Sequence, residues 1–373
     1  MNWTRVKELV RKEFIQLFRD KRTRPLLVIS PLIQLIIFGY VVTTDVRDIR
    51  VAMIDQCKTP ESRQLIDAFN ANRTFRITHY SDDPKELEDL LLRRKVDMVV
   101  KIPPNFSSII RKGQTAPIQI LIDGSMSNMA SVRIAYSLTL LEQFNIKFLH
   151  ELYAKKMQYR SIDARIRTWY NPNLDSRNFY VPGIVAFLIM LLTLLFTSMA
   201  IIREKESGTM EQLIVTPLKP SEFIMGKTIP YIIVAESQMV VVTILAILWF
   251  KVPLKGSEAL LFLATCLFLL STLGIGLVIS TVSSTKQQAV MTTFFFAMPF
   301  FMLSGFVFPI ANMPTAVQWF TYLNPLRYLL VIIRGIFLKG VGLEVLWPQF
   351  LAMTVLGIVV FSGAVNRFKK RLD

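Results

Sequence analysis

Gly226-Lys227-Thr228 matches the end of a phosphate-binding P-loop, the motif with which many proteins hold nucleotide phosphates. The motif also requires a glycine five residues before Gly226, and that position holds Ser221. In addition, the segment leads into a long apolar run instead of following a predicted strand. We therefore expect that the chain neither binds nor hydrolyses ATP itself and that it has no catalytic residues.

Glu236 is the one carboxylate inside an apolar run, where burial of a charge is costly and therefore points to function. Gln238 lies close by. The carboxyl group could bind a cationic substrate, or it could form an ion pair with Arg327 or Arg334. A protonated or hydrogen-bonded carboxyl group without a transport role explains the residue equally well, so these interpretations stay open.

Cysteine and histidine are too sparse in this chain for a metal centre. Cys57 lies in a polar region and Cys266 in the middle of an apolar run, while His79 and His150 are about 70 residues apart. We therefore expect no disulfide, no bound metal and no cofactor held directly by this chain.

The composition is that of a membrane protein. The chain has 373 residues, of which 52% are hydrophobic, and a formal net charge of +16. Such a sequence is too apolar for an ordinary soluble domain of this size. The basic excess is typical of cytoplasmic loops held against anionic lipid. Nucleic-acid binding is not indicated, because no stretch interleaves basic and aromatic residues as a binding groove does.

Six apolar runs are long enough to cross a bilayer, since a helix needs about 20 apolar residues to do so. They cover 26–44, 179–202, 228–250, 259–285, 287–308 and 345–366. The sequence thus predicts a polytopic α-helical membrane protein with six transmembrane helices, the first at 25–45 and the others within 179–373. A large polar region, 46–178, separates the first two spans.

The segment 309–335 continues the fifth apolar run but is punctuated by prolines and arginines. In a seventh span, Arg327 and Arg334 would each cost roughly 2.5–3.5 kcal/mol at the helix centre, and Pro325 would remove a backbone donor. We therefore predict short re-entrant helices at the outer face. The residues that mark them are Pro309, Pro314, Asn324, Pro325 and Arg327.

Lysine and arginine are concentrated before the first span, in 203–227 and in the C-terminal tail. The positive-inside rule therefore places both termini in the cytoplasm. Residues 1–24 form an amphipathic basic helix, on which Glu13 is the exception on an otherwise apolar face. That face comprises Val6, Leu9, Val10, Phe14, Leu17 and Phe18. We expect the helix to lie in the cytoplasmic interface, to pack on the spans, or both.

Strand and helix patterns alternate through 46–178, with strands at 49–55, 74–80, 96–102 and 117–124. This alternation predicts an extracytoplasmic α/β domain with a partly parallel sheet, inserted between spans 1 and 2. A glycine-rich phosphate loop follows none of the strands, so a nucleotide site is not indicated there.

Four stretches with distinctive motifs cover 169–183, 203–227, 271–289 and 303–328. They resemble the permease subunit of ABC transporters of the ABC-2 type, also called type V exporters. The second, an Arg-Glu-x-x-x-Gly-Thr-x-Glu-x-Leu run followed by a proline, is the most specific. The third carries small residues, Gly274 and Gly276, which allow close helix approach. With the spans and the insert, the resemblance covers essentially the whole chain and is greatest to the bacterial multidrug-export branch with a large external domain.

The resemblance implies an ATP-driven exporter in which two separate ATPase subunits hold ATP and Mg²⁺. It further implies that the cytoplasmic loop 203–222 and the N-terminal helix contact those subunits and carry their movement into the spans. The motif residues with this implied role are Arg203, Glu204, Glu206, Gly208, Thr209 and Glu211. Without the resemblance, the loop would be an ordinary basic cytoplasmic loop whose helix continues to Glu206 and breaks at Gly208.

The resemblance also implies a bacterial inner-membrane location and a homodimer, or a heterodimer with a paralogous permease, with the translocation path between the two membrane halves. The residues considered for the path are Glu236, Gln238, Phe295, Phe296 and Phe300. Such a path would suit drugs and other hydrophobic or amphiphilic compounds, although the phenylalanines could equally face lipid. A periplasmic adaptor leading to an outer-membrane tunnel protein could dock on the external domain.

The competing class, a receptor or sensor that binds a ligand with the α/β domain, would need a cytoplasmic output domain, and the sequence indicates none.

Overall fold

The structure is a computed structural model that describes residues 2–19, 23–41, 48–81, 83–124, 127–153, 169–171, 175–209 and 218–372. These residues form two compact units. An α/β unit falls within Thr44–Ile166, and a helical unit combines Met1–Thr43 with Arg167–Asp373. The α/β unit coincides with most of the predicted insert 46–178, and its extracytoplasmic location remains a prediction.

The regular elements follow the order expected from the sequence. The first are α1 (Trp3–Arg19), α2 (Thr23–Val41), β1 (Ile49–Asp55), α3 (Pro60–Ala71), β2 (Phe75–Tyr80), α4 (Pro84–Leu92), β3 (Met98–Ile102), α5 (Phe106–Arg111), β4 (Gln119–Ile122) and α6 (Ser127–Tyr153). The helical unit then continues with α7 (Ser176–Glu206), α8 (Pro220–Leu248), α9 (Glu258–Val282), α10 (Lys286–Met302), α11 (Thr315–Thr321), α12 (Pro325–Arg334) and α13 (Leu343–Leu372).

The sheet of the α/β unit has the strand order β2-β1-β3-β4, with β1 parallel to β2 and β3, and β4 antiparallel to β3. Strand β1 is buried on both faces because helices cover both. Its Val51 and Met53 pack with Phe69 of α3, and its Ile54 packs with Leu90 of α4. The partly parallel sheet predicted from the strand pattern is confirmed.

Four helices of the described residues, α7, α8, α9 and α13, are long and apolar enough to cross a membrane. Helix α10 has 17 residues, a length of about 25 Å, which is short of a hydrocarbon core of about 30 Å. Among the described residues of α2, the apolar helical stretch is Ile29–Val41, which is shorter than a membrane span. Helices stand at all six predicted positions, but a crossing by α2 and by α10 remains a prediction.

The predicted re-entrant segment forms α11 and α12, with a bend of 80° between Thr315–Thr321 and Pro325–Lys339. Asn324 shapes the bend, because its side chain accepts a hydrogen bond from the backbone N–H of Leu326 at 3.0 Å and so caps α12. A proline at the first position of α12 suits this cap. The Asn324 amide also donates to the Phe300 carbonyl at 2.6 Å, which ties the bend to the end of α10.

The other predicted markers of this segment also lie near helix ends. Pro309 precedes a short 3₁₀ turn, and Pro314 precedes α11. The Arg327 guanidinium stacks on the Tyr322 ring with a centroid distance of 4.0 Å and donates to the Thr321 hydroxyl. A bent helix pair of this kind is either a broken span or a re-entrant loop, so the re-entrant assignment remains a prediction.

Gly274 and Gly276 of α9 permit close contacts with two different helices. A Cβ atom at Gly274 would lie 2.9 Å from the backbone nitrogen of Phe361 in α13, and one at Gly276 would lie 2.7 Å from Cβ of Thr197 in α7. Side chains do not tolerate such distances, so glycine is required at both positions. The close helix approach predicted from these two glycines is confirmed.

Candidate coupling site

Helix α1 packs on α8 with the face that carries its apolar residues. Val6, Leu9, Glu13 and Leu17 are buried, at the spacing of three and four residues that defines one helix face. Leu9 covers Gly226 of α8, where a Cβ atom would lie 2.6 Å from the Leu9 Cβ. The predicted packing of this helix on the protein's own spans is confirmed, while its placement in the membrane interface remains a prediction.

Helix α7 also ends at this site. Its last residue is Glu206, and Gly208 follows with a φ of +68°, a left-handed conformation that favours glycine. The Glu204 side chain, in the last turn of the helix, is buried. The Thr209 hydroxyl donates to the Glu204 carboxylate and so holds the start of the following loop against the helix.

Lys227 of α8 lies between these two helices, and its side chain is 2% exposed. Its ammonium group donates to the Glu13 carboxylate of α1 and, at 2.6 Å, to the Glu204 carboxylate of α7. The Lys12 ammonium group reaches the same Glu204 carboxylate at 3.2 Å from a more exposed position. Lys12, Glu13, Glu204, Thr209 and Lys227 form what we call the Lys227 cluster.

The charges of the Lys227 cluster balance, since two carboxylates face two ammonium groups. An unpaired ion in a protein interior costs several kcal/mol, whereas an ion that is paired and hydrogen-bonded is tolerated. Removal of Lys227 would leave the buried Glu13 without its partner. The charges of the cluster therefore stabilise one another, and the residues that carry them come from three helices, α1, α7 and α8.

Two further contacts flank the Lys227 cluster. Glu222, buried in the first turn of α8, accepts a hydrogen bond from the backbone N–H of Asn2 at 2.6 Å and so fixes the start of α1. Glu206 pairs at 2.7 Å with Lys286 at the start of α10, through side chains that are 35% and 46% exposed. The end of α7 is thus bonded to α1, α8 and α10.

The predicted coupling residues occupy different environments. Glu204 and Thr209 belong to the Lys227 cluster, and Glu206 belongs to the exposed pair with Lys286. The remaining three are Arg203, which is half-buried, Gly208, which is exposed, and Glu211, which falls outside the described residues. A contact of any of them with an ATPase remains a prediction.

Sequence reasoning missed the pairing of Lys227 with Glu13. Comparison with a P-loop excludes a role of Lys227 in phosphate binding and suggests no other role. The helical pattern of α1 shows Glu13 only as an exception on an apolar face. Charged residues are rarely buried unless they are paired. A carboxylate on an apolar helix face, together with a lysine near the start of an apolar run, was therefore the signal available.

Glu236 forms no ion pair in the described part of the chain. Both its carboxylate oxygens are buried without an oxygen or nitrogen partner, and its polar neighbour is the Cys266 thiol of α9. Gln238 is also buried. Arg327 lies against a tyrosine ring, and Arg334 stacks on a phenylalanine ring 3.7 Å away. The ion pair considered from the sequence is therefore wrong, and the interpretations with a cationic substrate or a neutral carboxyl group remain.

The phenylalanines predicted for the path lie on α10, and two of them are exposed. Phe295 is 74% exposed and Phe296 is 41% exposed, while Phe300 packs against the core. The opposite face of α10 contacts α7, where the Thr293 hydroxyl donates to the Ser198 hydroxyl at 2.9 Å. The aromatic face is open in a single chain, which suits a path and a lipid contact equally.

This chain is similar to known transport proteins. Residues 21–365 match the family model described as ABC-2 family transporter protein. The chain is 34% identical to the probable multidrug ABC transporter permease YbhR of Escherichia coli (strain K12), over 99% of this chain and 98% of the relative. It is 31% identical to the probable multidrug ABC transporter permease YbhS of the same strain, over 100% and 99%. It is 27% identical to that strain's inner membrane transport permease YhhJ, over 97% and 96%. The chain therefore belongs to the ABC-2 family of transporter proteins.

Proposed function

We propose that this chain is the permease subunit of an ATP-driven ABC exporter. YbhR, YbhS and YhhJ are permeases by name, and the ATPase activity of such a transporter lies in a separate subunit. The Lys227 cluster carries the proposal, because it joins the end of α7, where the loop 203–222 begins, to α8 and to α1. A permease that is moved by an external ATPase needs such a firm connection between its loop and its spans.

In the proposed mechanism, two ATPase subunits close on binding ATP and displace the loop 203–222. Thr209 and Glu204 link the start of this loop to α7, and Lys227 links α7 to α8. The spans then open a path toward the outside. In this arrangement both termini and the loop lie in the cytoplasm of a bacterium, and a second permease, identical or paralogous, supplies the other half of the path.

The cargo that we propose is a drug or another hydrophobic or amphiphilic compound, taken from the cytoplasm or the inner leaflet. Two relatives carry the word multidrug in their names. The exposed rings of Phe295 and Phe296 offer a large apolar surface that such a compound could contact. In the same proposal the α/β unit lies outside the membrane and docks a periplasmic adaptor that leads to an outer-membrane tunnel protein.

The proposal is tested by co-expressing the tagged chain with the ABC ATPase encoded nearest to its gene. We expect the ATPase to co-purify and inverted membrane vesicles to take up a fluorescent cationic amphiphile only when ATP is present. The control is the same complex with the P-loop lysine of the ATPase replaced, which should show no uptake. Recovery of the chain without any ATPase, or uptake that does not depend on ATP, would contradict the proposal.

Glu236→Gln is expected to fold like the wild type and to respond to cationic cargo with lower apparent affinity. A carboxyl group buried without a countercharge offers a site for a cation, and glutamine removes the charge while keeping the shape. Stimulation of the ATPase by a cationic compound should require a concentration higher by roughly tenfold, equivalent to about 1.4 kcal/mol. Stimulation by a neutral compound should not change. An unaltered response to the cation would remove Glu236 from the path.

A further inference from the structure

We propose that Lys227 is a positioning residue that makes α1 a moving part of the transporter, by locking α1, α7 and α8 into one body. This inference rests on the proposed function and adds to it the residue through which α1 follows α7. Three helices from distant parts of the chain converge on its one ammonium group, whose carboxylate partners come from α1 and α7. These partners are as deeply buried as Lys227 itself, each 2% exposed.

The bonds of the Lys227 cluster form a continuous connection from the loop to α1. Thr209, at the start of the loop, donates to Glu204 of α7. Glu204 accepts from Lys227 of α8, and Lys227 also donates to Glu13 of α1. Each of these bonds joins a different pair of elements. A displacement at Thr209 is therefore transmitted to α1 through direct bonds between side chains.

The residue before Lys227 adds a steric restraint to these bonds. Gly226 receives Leu9 of α1 so closely that a Cβ atom at this position would meet the Leu9 side chain. An interlocked side chain prevents α1 from sliding along α8, and the neighbouring ion pairs prevent it from lifting away. The Gly-Lys pair that resembles a P-loop therefore has its own explanation, since glycine permits close approach and lysine supplies the shared cation.

The ion pair between the end of α7 and the start of α10 is of a weaker kind. The Glu206–Lys286 pair is partly exposed on both sides, and exposed ion pairs are screened by water and salt and contribute little. Buried pairs are screened much less. The ion pairs that join α1, α7 and α8 should therefore persist when the loop moves, whereas the Glu206–Lys286 pair can open.

Glu13→Gln tests the inference because it removes the charge of the buried pair between Lys227 and α1 and leaves the Lys227–Glu204 pair in place. We expect the ATPase to co-purify with this variant and its thermal unfolding to stay close to that of the control, while ATP-dependent uptake of the cationic amphiphile falls by at least about tenfold, within the range of coupling between distant sites. The matched control is Glu8→Gln, which makes the same change on the exposed side of α1 and should keep wild-type uptake. Glu13→Lys combined with Lys227→Glu restores an ion pair between α1 and α8 with the charges exchanged and should regain at least half of the uptake.

Each outcome decides the inference. Wild-type uptake by Glu13→Gln would overturn it, as would a loss of uptake no greater than the loss of folded protein, because the residue would then be structural only. A folded charge-swapped protein that regains no uptake would overturn it as well. Absence of ATP-dependent uptake in the wild type would count against the proposed function itself, and the co-purification measured in parallel identifies that case.

Discussion

Gly274→Leu is expected to prevent accumulation of the folded protein in the membrane. A Cβ atom at this position would lie 2.9 Å from the backbone nitrogen of Phe361 and 2.9 Å from Cγ1 of Val360. Overpacking of a well-packed site typically costs about 1–3 kcal/mol, occasionally more. We expect at least the upper end here, because the obstacle is the backbone of α13, which cannot rotate away as a side chain can.

The chain offers a matched control in Gly363, which lies in α13 with no heavy atom within 4 Å of a Cβ built there. Gly363→Leu makes the same change in size and hydrophobicity in another long apolar helix, and it should leave expression and thermal unfolding near wild type. Both variants can be compared as fluorescent fusions by size-exclusion chromatography and thermal unfolding in detergent. If Gly274→Leu unfolded at the wild-type temperature, the close packing of α9 on α13 would be wrong.

The elements of this fold follow from local patterns in the sequence. Strand β1 is a short apolar run, and four helices are long apolar runs, namely α7, α8, α9 and α13. The spacing of apolar residues and the length of each run therefore suffice to find these elements. The Gly274 and Gly276 contacts could also be anticipated, because small residues in an apolar helix indicate close approach. These features depend on neighbours within one segment, which is the information that a single sequence displays best.

The site depends on contacts between distant segments, and the sequence does not display these. Glu13 and Lys227 are 214 positions apart, and either alone has an ordinary explanation as a surface charge on an amphipathic helix or a basic loop residue. Their meeting is decided by the packing of α1 on α8, which Leu9 and Gly226 determine through shape. The sequence does not determine the roles of Glu236 and Phe295 for another reason, because these roles depend on molecules outside this chain.

Lys227→Met is expected to lower the free energy of unfolding by about 3–5 kcal/mol, the usual cost of breaking a buried ion pair from one side. Methionine preserves most of the length of lysine but leaves Glu13 and Glu204 without their shared cation. Lys12→Met is the matched control, because it removes the more exposed cation that contacts the same Glu204. It should cost clearly less than Lys227→Met, because Lys12 is partly exposed to water and Glu204 keeps its buried partner Lys227. Denaturant-dependent unfolding in detergent measures both variants.

A triple variant, Glu13→Gln with Glu204→Gln and Lys227→Met, separates the stability of the Lys227 cluster from its role in coupling. No charge would remain buried without a partner, so much of the stability lost in Lys227→Met should return. The bonds between an ammonium group and two carboxylates would still be missing, so ATP-dependent uptake should not return. Equal unfolding of Lys227→Met and Lys12→Met would contradict the buried ion pairs. Recovery of both stability and uptake in the triple variant would show that only charge compensation matters at this site, because the attachment of α1 would then not depend on the lysine–glutamate bonds.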